Sequence, residues 1–182
     1  MSGAGMWVIV CGPSGAGKDS ALRWAAGQLA THRRICFARR LVTRPPGAGA
    51  DDDAIGLPEL QALRARGALA WHWQAHGLHY GIASDYQRRV AAGEVVVVNG
   101  SREHARQLAG HNGVRCVLVT APAPLVAERL RRRGREDEDG VALRVARNAE
   151  LQPPAADRVI VNDGRLEQAG VALRDYLLEL AE

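Results

Sequence analysis

Apolar residues gather in five short runs: "MWVIVC" (Met6–Cys11), "RICFA" (34–38), "EVVVVN" (94–99), "VRCVLV" (114–119) and "RVIVN" (158–162). Runs of this length, rich in valine and isoleucine and without strict alternation, suit strands buried on both faces. After the first run, Leu22, Ala25, Ala26 and Leu29 recur at helical spacing. Further helices are predicted over 57–66, with Pro58 in the first turn, over 85–92 behind Ser84, and over 124–133, 141–151 and 166–180. Strands alternating with helices predict an α/β fold with a parallel sheet flanked by helices.

Two stretches break the alternation. "ALAWHWQAHGLHYGI" (68–82) carries strand-forming aromatics around His76 and Gly77, and reads as a small antiparallel hairpin. "TRPPGAGADDDAIG" (43–56) reads as a loop too polar to pack. Both precede the "VVVVN" strand, so together they suggest a substrate-binding insertion, over about 39–93, in one domain spanning 1–182.

Composition narrows the picture. With 182 residues and 47% hydrophobic content the chain can bury one sizeable core. No apolar run approaches the roughly 18 residues of a membrane span, and "MSGAG" lacks the features of a signal peptide, so no membrane contact and a cytoplasmic setting are expected. Cys11, Cys36 and Cys116 are odd in number, far apart and set in strand-like runs, as expected of buried free thiols in a reducing compartment. The net charge of +4 comes from arginines spread along the chain without a basic tail, which argues against a nucleic-acid partner.

The strongest chemical signal is "GPSGAGKDS", Gly12 to Ser20, between the first strand and the first helix. Gly12, Gly15 and Gly17 allow a bend whose NH groups, with Pro13, Ser14 and Ala16 between them, turn inward around phosphate oxygens. The following helix adds its positive N-terminal end. Lys18 can reach the β and γ phosphates. It is the only lysine in the chain, so its placement points to a role that arginine does not fill. Asp19 stands where a serine or threonine normally holds magnesium. Its carboxylate or the Ser20 hydroxyl could ligate the ion, the alternative being that Asp19 simply complements the helix N-terminus.

Arginines supply charge elsewhere. In "AERLRRRGRED" (127–137), Arg129 and Arg133 lie four apart, Arg135 follows Gly134, and Arg144 and Arg147 share one face of the next helix. Such a hairpin, over about 129–147, could close as a lid and bring its arginines onto a moving phosphoryl group. The competing reading is a solvated basic face paired with the acids at 136–139. His72, His76 and His79 lack the spacing of a zinc site. Asn162, in "VNDG", makes either a turn or a contact to adenine.

Taken together, "GPSGAGKDS", "TRPPGAG", "WHWQAHGLHYGI", "VVVNGSR", "RGRE" and "VNDG" resemble, in order and from about residue 7 to 173, the guanylate kinase-like branch of P-loop kinases. Within it they resemble the ribose 1,5-bisphosphate phosphokinases of bacterial phosphonate catabolism, which share the aspartate after the lysine. The resemblance implies transfer of the γ-phosphoryl of ATP, with Mg2+, onto the 1-phosphate of ribose 1,5-bisphosphate. Lys18, Arg135 and Arg144 would be catalytic, and Gly12 to Ser20, Arg129, Arg133 and Asn162 would hold the nucleotide. Arg40, Arg44 and Tyr80 match acceptor-phosphate positions, while Asn99, Ser101 and Arg102 would orient the acceptor. Trp71 and Asn99 stand where guanylate kinases carry base-reading acids, and the phosphate-binding tyrosine of that family is missing from "ADDDAIG". The alternatives are a nucleoside monophosphate kinase, a non-catalytic interaction module and another small-metabolite kinase. A homodimer is compatible with all of them.

Overall fold

The computed structural model describes residues 4–44, 51–75, 77–134, 137–150 and 152–182. The first apolar run forms β1 (Met6–Cys11), and the glycine loop leads into α1 (Lys18–Gln28) and β2 (Ile35–Phe37). An excursion follows: β3 (Arg40–Val42), β4 (Asp52–Ala54), α2 (Leu57–Ala65), β5 (Leu69–Ala75), β6 (Leu78–Ala83) and α3 (Asp85–Ala91). The chain then returns through β7 (Val95–Asn99), α4 (Arg102–Leu108), β8 (Val114–Thr120), α5 (Ala123–Arg133), α6 (Glu138–Glu150), β9 (Arg158–Val161) and α7 (Leu166–Ala181).

The five apolar runs make one parallel sheet in the order β2-β7-β1-β8-β9. β1 and β7 lie inside it, and Val8, Ile9, Val10, Val95, Val96 and Val98 are fully buried, as unbroken apolar runs require. One face, through Val8, Val10, Val97 and Val119, packs on Ala21 and Ala25 of α1 and Leu173 and Leu177 of α7. The other, through Ile9, Cys11, Cys116 and Leu118, packs on Ala105 of α4. All three cysteines are free and buried, with Cys11 and Cys116 sulfurs 3.9 Å apart. No described helix is long and apolar enough to cross a membrane.

The excursion carries a second sheet, β4-β3-β6-β5, in which β5 and β6 form the expected hairpin and β3 runs antiparallel to β6. Gly77 in its turn has φ 74°, while His76 lies outside the described residues. The reading of 43–56 as a loop too polar to pack is corrected: β4 pairs in parallel with β3, and the Asp52 side chain is only 6% exposed. A carboxylate can be buried there because two arginines meet it. β3, β4 and α4 went unforeseen because their short segments, RLV, DDA and REHARQL, carry no apolar run or clear apolar period.

An aromatic block joins the two sheets. Trp71 packs on Trp7 with centroids 4.2 Å apart, and Trp73 stacks between Tyr80, at 5.2 Å, and His104 of α4, at 4.2 Å. His104 is 4% exposed, and among the described residues its Nδ1 has no hydrogen-bond partner. Burial therefore pushes its pKa down to about 4. Because the folded pKa lies below the ordinary value of 6.5, this group's contribution is intact above pH 6.5 and is lost as pH falls toward 4, the unfolded chain taking up the proton first. Between pH 7.5 and 5 the loss should be about 2 kcal/mol. Urea unfolding of wild type and His104→Phe at the two pH values tests this: the variant should lose that much less stability, and equal losses would refute it.

Candidate active site

The loop after β1 closes on Gly17, which caps α1 in the left-handed region at φ 86°. A Cβ there would lie 2.2 Å from Asn162 Nδ2, so the position accepts glycine alone on two counts. Asn162, just beyond β9, is 3% exposed; its Nδ2 donates to the Ala16 carbonyl at 2.8 Å. Arg129 of α5 donates to the same carbonyl and to Asn162 Oδ1, both at 3.3 Å. Asn162 thus braces the back of the loop, and this bond gives it a structural task that neither of the two sequence readings contained.

A second brace comes from α6. Arg144 Nη1 donates to Ser14 Oγ at 3.0 Å, and Asn148, one turn on, donates from Nδ2 to the Ser14 carbonyl at 3.2 Å. Arg102 donates to both the Asn148 carbonyl, at 3.0 Å, and its Oδ1, at 2.9 Å. Arg102, expected on the acceptor, thus also supports the hairpin helix. Ser101 accepts from the His104 backbone NH and caps α4. The side chain of Arg133 and all of Arg135 lie outside the described residues.

Lys18 opens α1 with its side chain 14% exposed. Its ammonium donates to Asp19 Oδ1 at 2.6 Å and to Asn99 Oδ1 at the end of β7. Asn99 Nδ2 in turn donates to Asp19 Oδ1 at 2.8 Å, closing a three-residue ring. Burial pushes the Lys18 pKa below the ordinary lysine value, against the pull of Asp19. Burial would raise Asp19, but the Lys18 charge and the bonds from Lys18 and Asn99 prevail and hold its carboxyl well below the usual range. Ser20 sits in the same first turn of α1.

Beside the ring stand the residues expected to meet the acceptor: Arg40 of β3, Arg44 just beyond it and Tyr80 of β6. Arg40 donates from Nη1 to the Asn99 carbonyl at 3.0 Å and forks onto Asp52 at 2.7 and 3.0 Å. Arg44 meets the same carboxylate at 2.5 Å. The Tyr80 ring lies under the Arg40 guanidinium at 5.5 Å. Burial pushes the Tyr80 phenol up, with Arg40 and Arg44 opposing, so it stays a proton donor at neutral pH. Sequence reasoning missed Asp52 and Asn148; the run Asp51 to Asp53 beside a row of arginines was the available signal for the first, and nothing marked the second. The arrangement sets the glycine loop and its lysine beside a second cationic cluster, with Asn99 touching both Lys18 and Arg40.

No family model matches the chain. A ribose 1,5-bisphosphate phosphokinase PhnN of Pseudofrankia inefficax is 41% identical over 182 residues, covering 98% of this chain and 94% of that protein. One of Laribacter hongkongensis is 42% identical over 177 residues, 95% of this chain; the chain spans 42% of that longer protein. Among solved structures, guanylate kinase from Anaplasma phagocytophilum superposes with a TM-score of 0.70 at 20% identity, covering 99% of this chain and 88% of that one, which shows a shared fold.

Asn162→Ala should cost about 1–2 kcal/mol of stability, since Arg129 alone then serves the Ala16 carbonyl. It should also weaken ATP binding more than acceptor binding. Urea unfolding and calorimetric titration of each ligand check this; equal weakening of both would remove the loop-bracing role.

Proposed function

The chain belongs to the ribose 1,5-bisphosphate phosphokinase family, and from that premise we propose that it transfers the γ-phosphoryl of ATP to the 1-phosphate of ribose 1,5-bisphosphate, giving 5-phospho-α-D-ribosyl 1-diphosphate and ADP in phosphonate breakdown. An oxygen of the acceptor phosphate bonds to the γ-phosphorus as the bond to the β,γ-bridging oxygen breaks. That oxygen is already ionised, so no general base is required. Positioning and charge neutralisation carry the catalysis.

The observation that carries this reading is Asn99, which holds Lys18 through its side chain and Arg40 through its carbonyl, and so ties donor side to acceptor side. In this assignment the backbone from Gly12 to Gly17 cradles the donor phosphates and Lys18 stabilises the charge that develops between donor and acceptor. Arg144, with Arg129, Arg133 and Arg135 by the family resemblance, supplies charge from a lid over about 129–147. Arg40, Arg44 and Tyr80, in an acceptor lobe over about 39–93, hold the reacting phosphate. Magnesium fits the residues present. Asp19 keeps 53% of its side chain exposed, and the described residues contain no cluster of three acids, histidines or cysteines. Such a site suits an ion held by one or two protein oxygens, Asp19 and Ser20, and otherwise by phosphates and water. When bound, the ion would neutralise the β and γ phosphates. Three free thiols suit a cytoplasmic setting.

The choice of acceptor follows from Trp71 and Asn99. Trp71 is packed between Trp7 and, edge-on at 5.3 Å, His104, and Asn99 is spent on Lys18 and Asp19. Neither offers a carboxylate to a guanine base. A site that reads a base by hydrogen bonds rejects analogues strongly, and at these two positions the acids that would favour GMP are replaced.

Ribose 1,5-bisphosphate should therefore be used at least about a hundredfold more efficiently than GMP, roughly 2.7 kcal/mol in the transition state. Measurement of kcat/KM for both with ATP and magnesium decides; preference for GMP overturns the acceptor. Lys18→Ala should lower the rate a few hundredfold, about 3–4 kcal/mol, with the fold retained by circular dichroism. Near-normal turnover would remove the loop from the mechanism.

A further inference from the structure

A cavity of about 160 Å3 opens beside the Lys18 ring, with Asp19 and Asn99 among its lining residues. Part of its wall is apolar, Leu22 and Ala26 from α1, Phe37 at the end of β2 and Val97 of β7, and Asp51 lines it too. Arg23 and Arg39 also line it. The size is well under the ~300 Å3 at which pockets for drug-sized ligands begin, so it suits a sugar ring and not a nucleoside. Its position, beyond the carboxyl ends of β2 and β7, is where open α/β sheets bind their ligands.

The arginines around this cleft are each met by one of three successive aspartates. Arg23 pairs with Asp51 at 3.1 Å, Arg39 with Asp53 at 2.7 Å, and Arg40 and Arg44 with Asp52. The pairs differ in burial. Asp52 is 6% exposed, and breaking its pairs would strand a buried charge. Arg23 and Arg39 keep 62% and 50% of their side chains exposed, where ion pairs are weak and exchange readily. A phosphate dianion carries more charge than a carboxylate and accepts the same guanidinium fork.

Resting on the acceptor reading above, we propose that this cavity is the seat of the acceptor's sugar and that Arg23 and Arg39 form the subsite for its distal phosphate, the one that does not react. That phosphate takes over the guanidinium groups that Asp51 and Asp53 otherwise hold. Arg40 and Arg44 stay fixed by Asp52 and serve the reacting phosphate. The two phosphates of one substrate are thereby read by separate pairs of arginines.

The test compares ribose 1,5-bisphosphate with ribose 1-phosphate, which lacks the distal group, in wild type and in the Arg23→Ala, Arg39→Ala double variant. Both positions are exposed, so the fold should survive. Wild type should prefer the bisphosphate about a hundredfold in kcat/KM. The double variant should narrow the preference to within about threefold, mainly through KM. An undiminished preference in the double variant, or no preference in wild type, overturns the subsite while the acceptor reading stands. Turnover of neither acceptor by wild type overturns both.

Discussion

The site depends first on the register between β1 and β7, in which Val10 lies opposite Asn99. That pairing puts the end of one buried strand, carrying the phosphate loop, beside the end of another, carrying an amide 81 residues from Lys18. A slip of one residue would turn the Asn99 side chain to the opposite face and part it from the ammonium. The polar residues that bracket its four valines, Glu94 and Asn99, oppose the slip, since it would draw one of them into a sheet whose two faces are filled. Core packing and site geometry are here one constraint.

Several cations of the candidate site are held in place by polar partners among the described residues. Lys18 rests on Asp19 and Asn99, Arg129 on the loop and Asn162, and Arg144 on Ser14. The arginines proposed to meet the acceptor, Arg23, Arg39, Arg40 and Arg44, rest on Asp51, Asp52 and Asp53. A guanidinium held in place loses less freedom when a phosphate arrives, which is the physical value of such preorganisation. The buried Asp52 pair stiffens the lobe, whereas the exposed pairs beside it leave their arginines exchangeable.

The loop itself is held from two sides. Asn162 and Arg129 grip the Ala16 carbonyl from behind, and Arg144 and Asn148 reach Ser14 from the hairpin. The first grip joins buried Asn162, just beyond β9, to Arg129 of α5; the second is made by α6, which packs on α5 through Val126, Leu130 and Val141. Both helices of the hairpin thus touch the loop, α5 at Ala16 through Arg129 and α6 at Ser14 through Arg144 and Asn148, so the shape of the loop is tied to the position of the hairpin.

The sequence alone determined the parallel core, because unbroken runs of valine and isoleucine have one comfortable setting, and it determined the phosphate loop, because Gly12, Gly17 and Lys18 follow such a run and open a helix. It also marked Arg40, Arg44 and Tyr80, though by resemblance to a family and not by any local pattern. It could not reveal β3 and β4, three residues each, nor that Asp52 is buried, since a carboxylate is buried only when distant or flanking cations close on it. Nor could it assign Asn162 to the loop or Arg102 to Asn148. Periodicity and propensity act over neighbouring residues, whereas these contacts join residues 146 and 46 apart. Only the folded chain, with its strand register and the crossing of its two sheets, brings such polar partners within reach of one another.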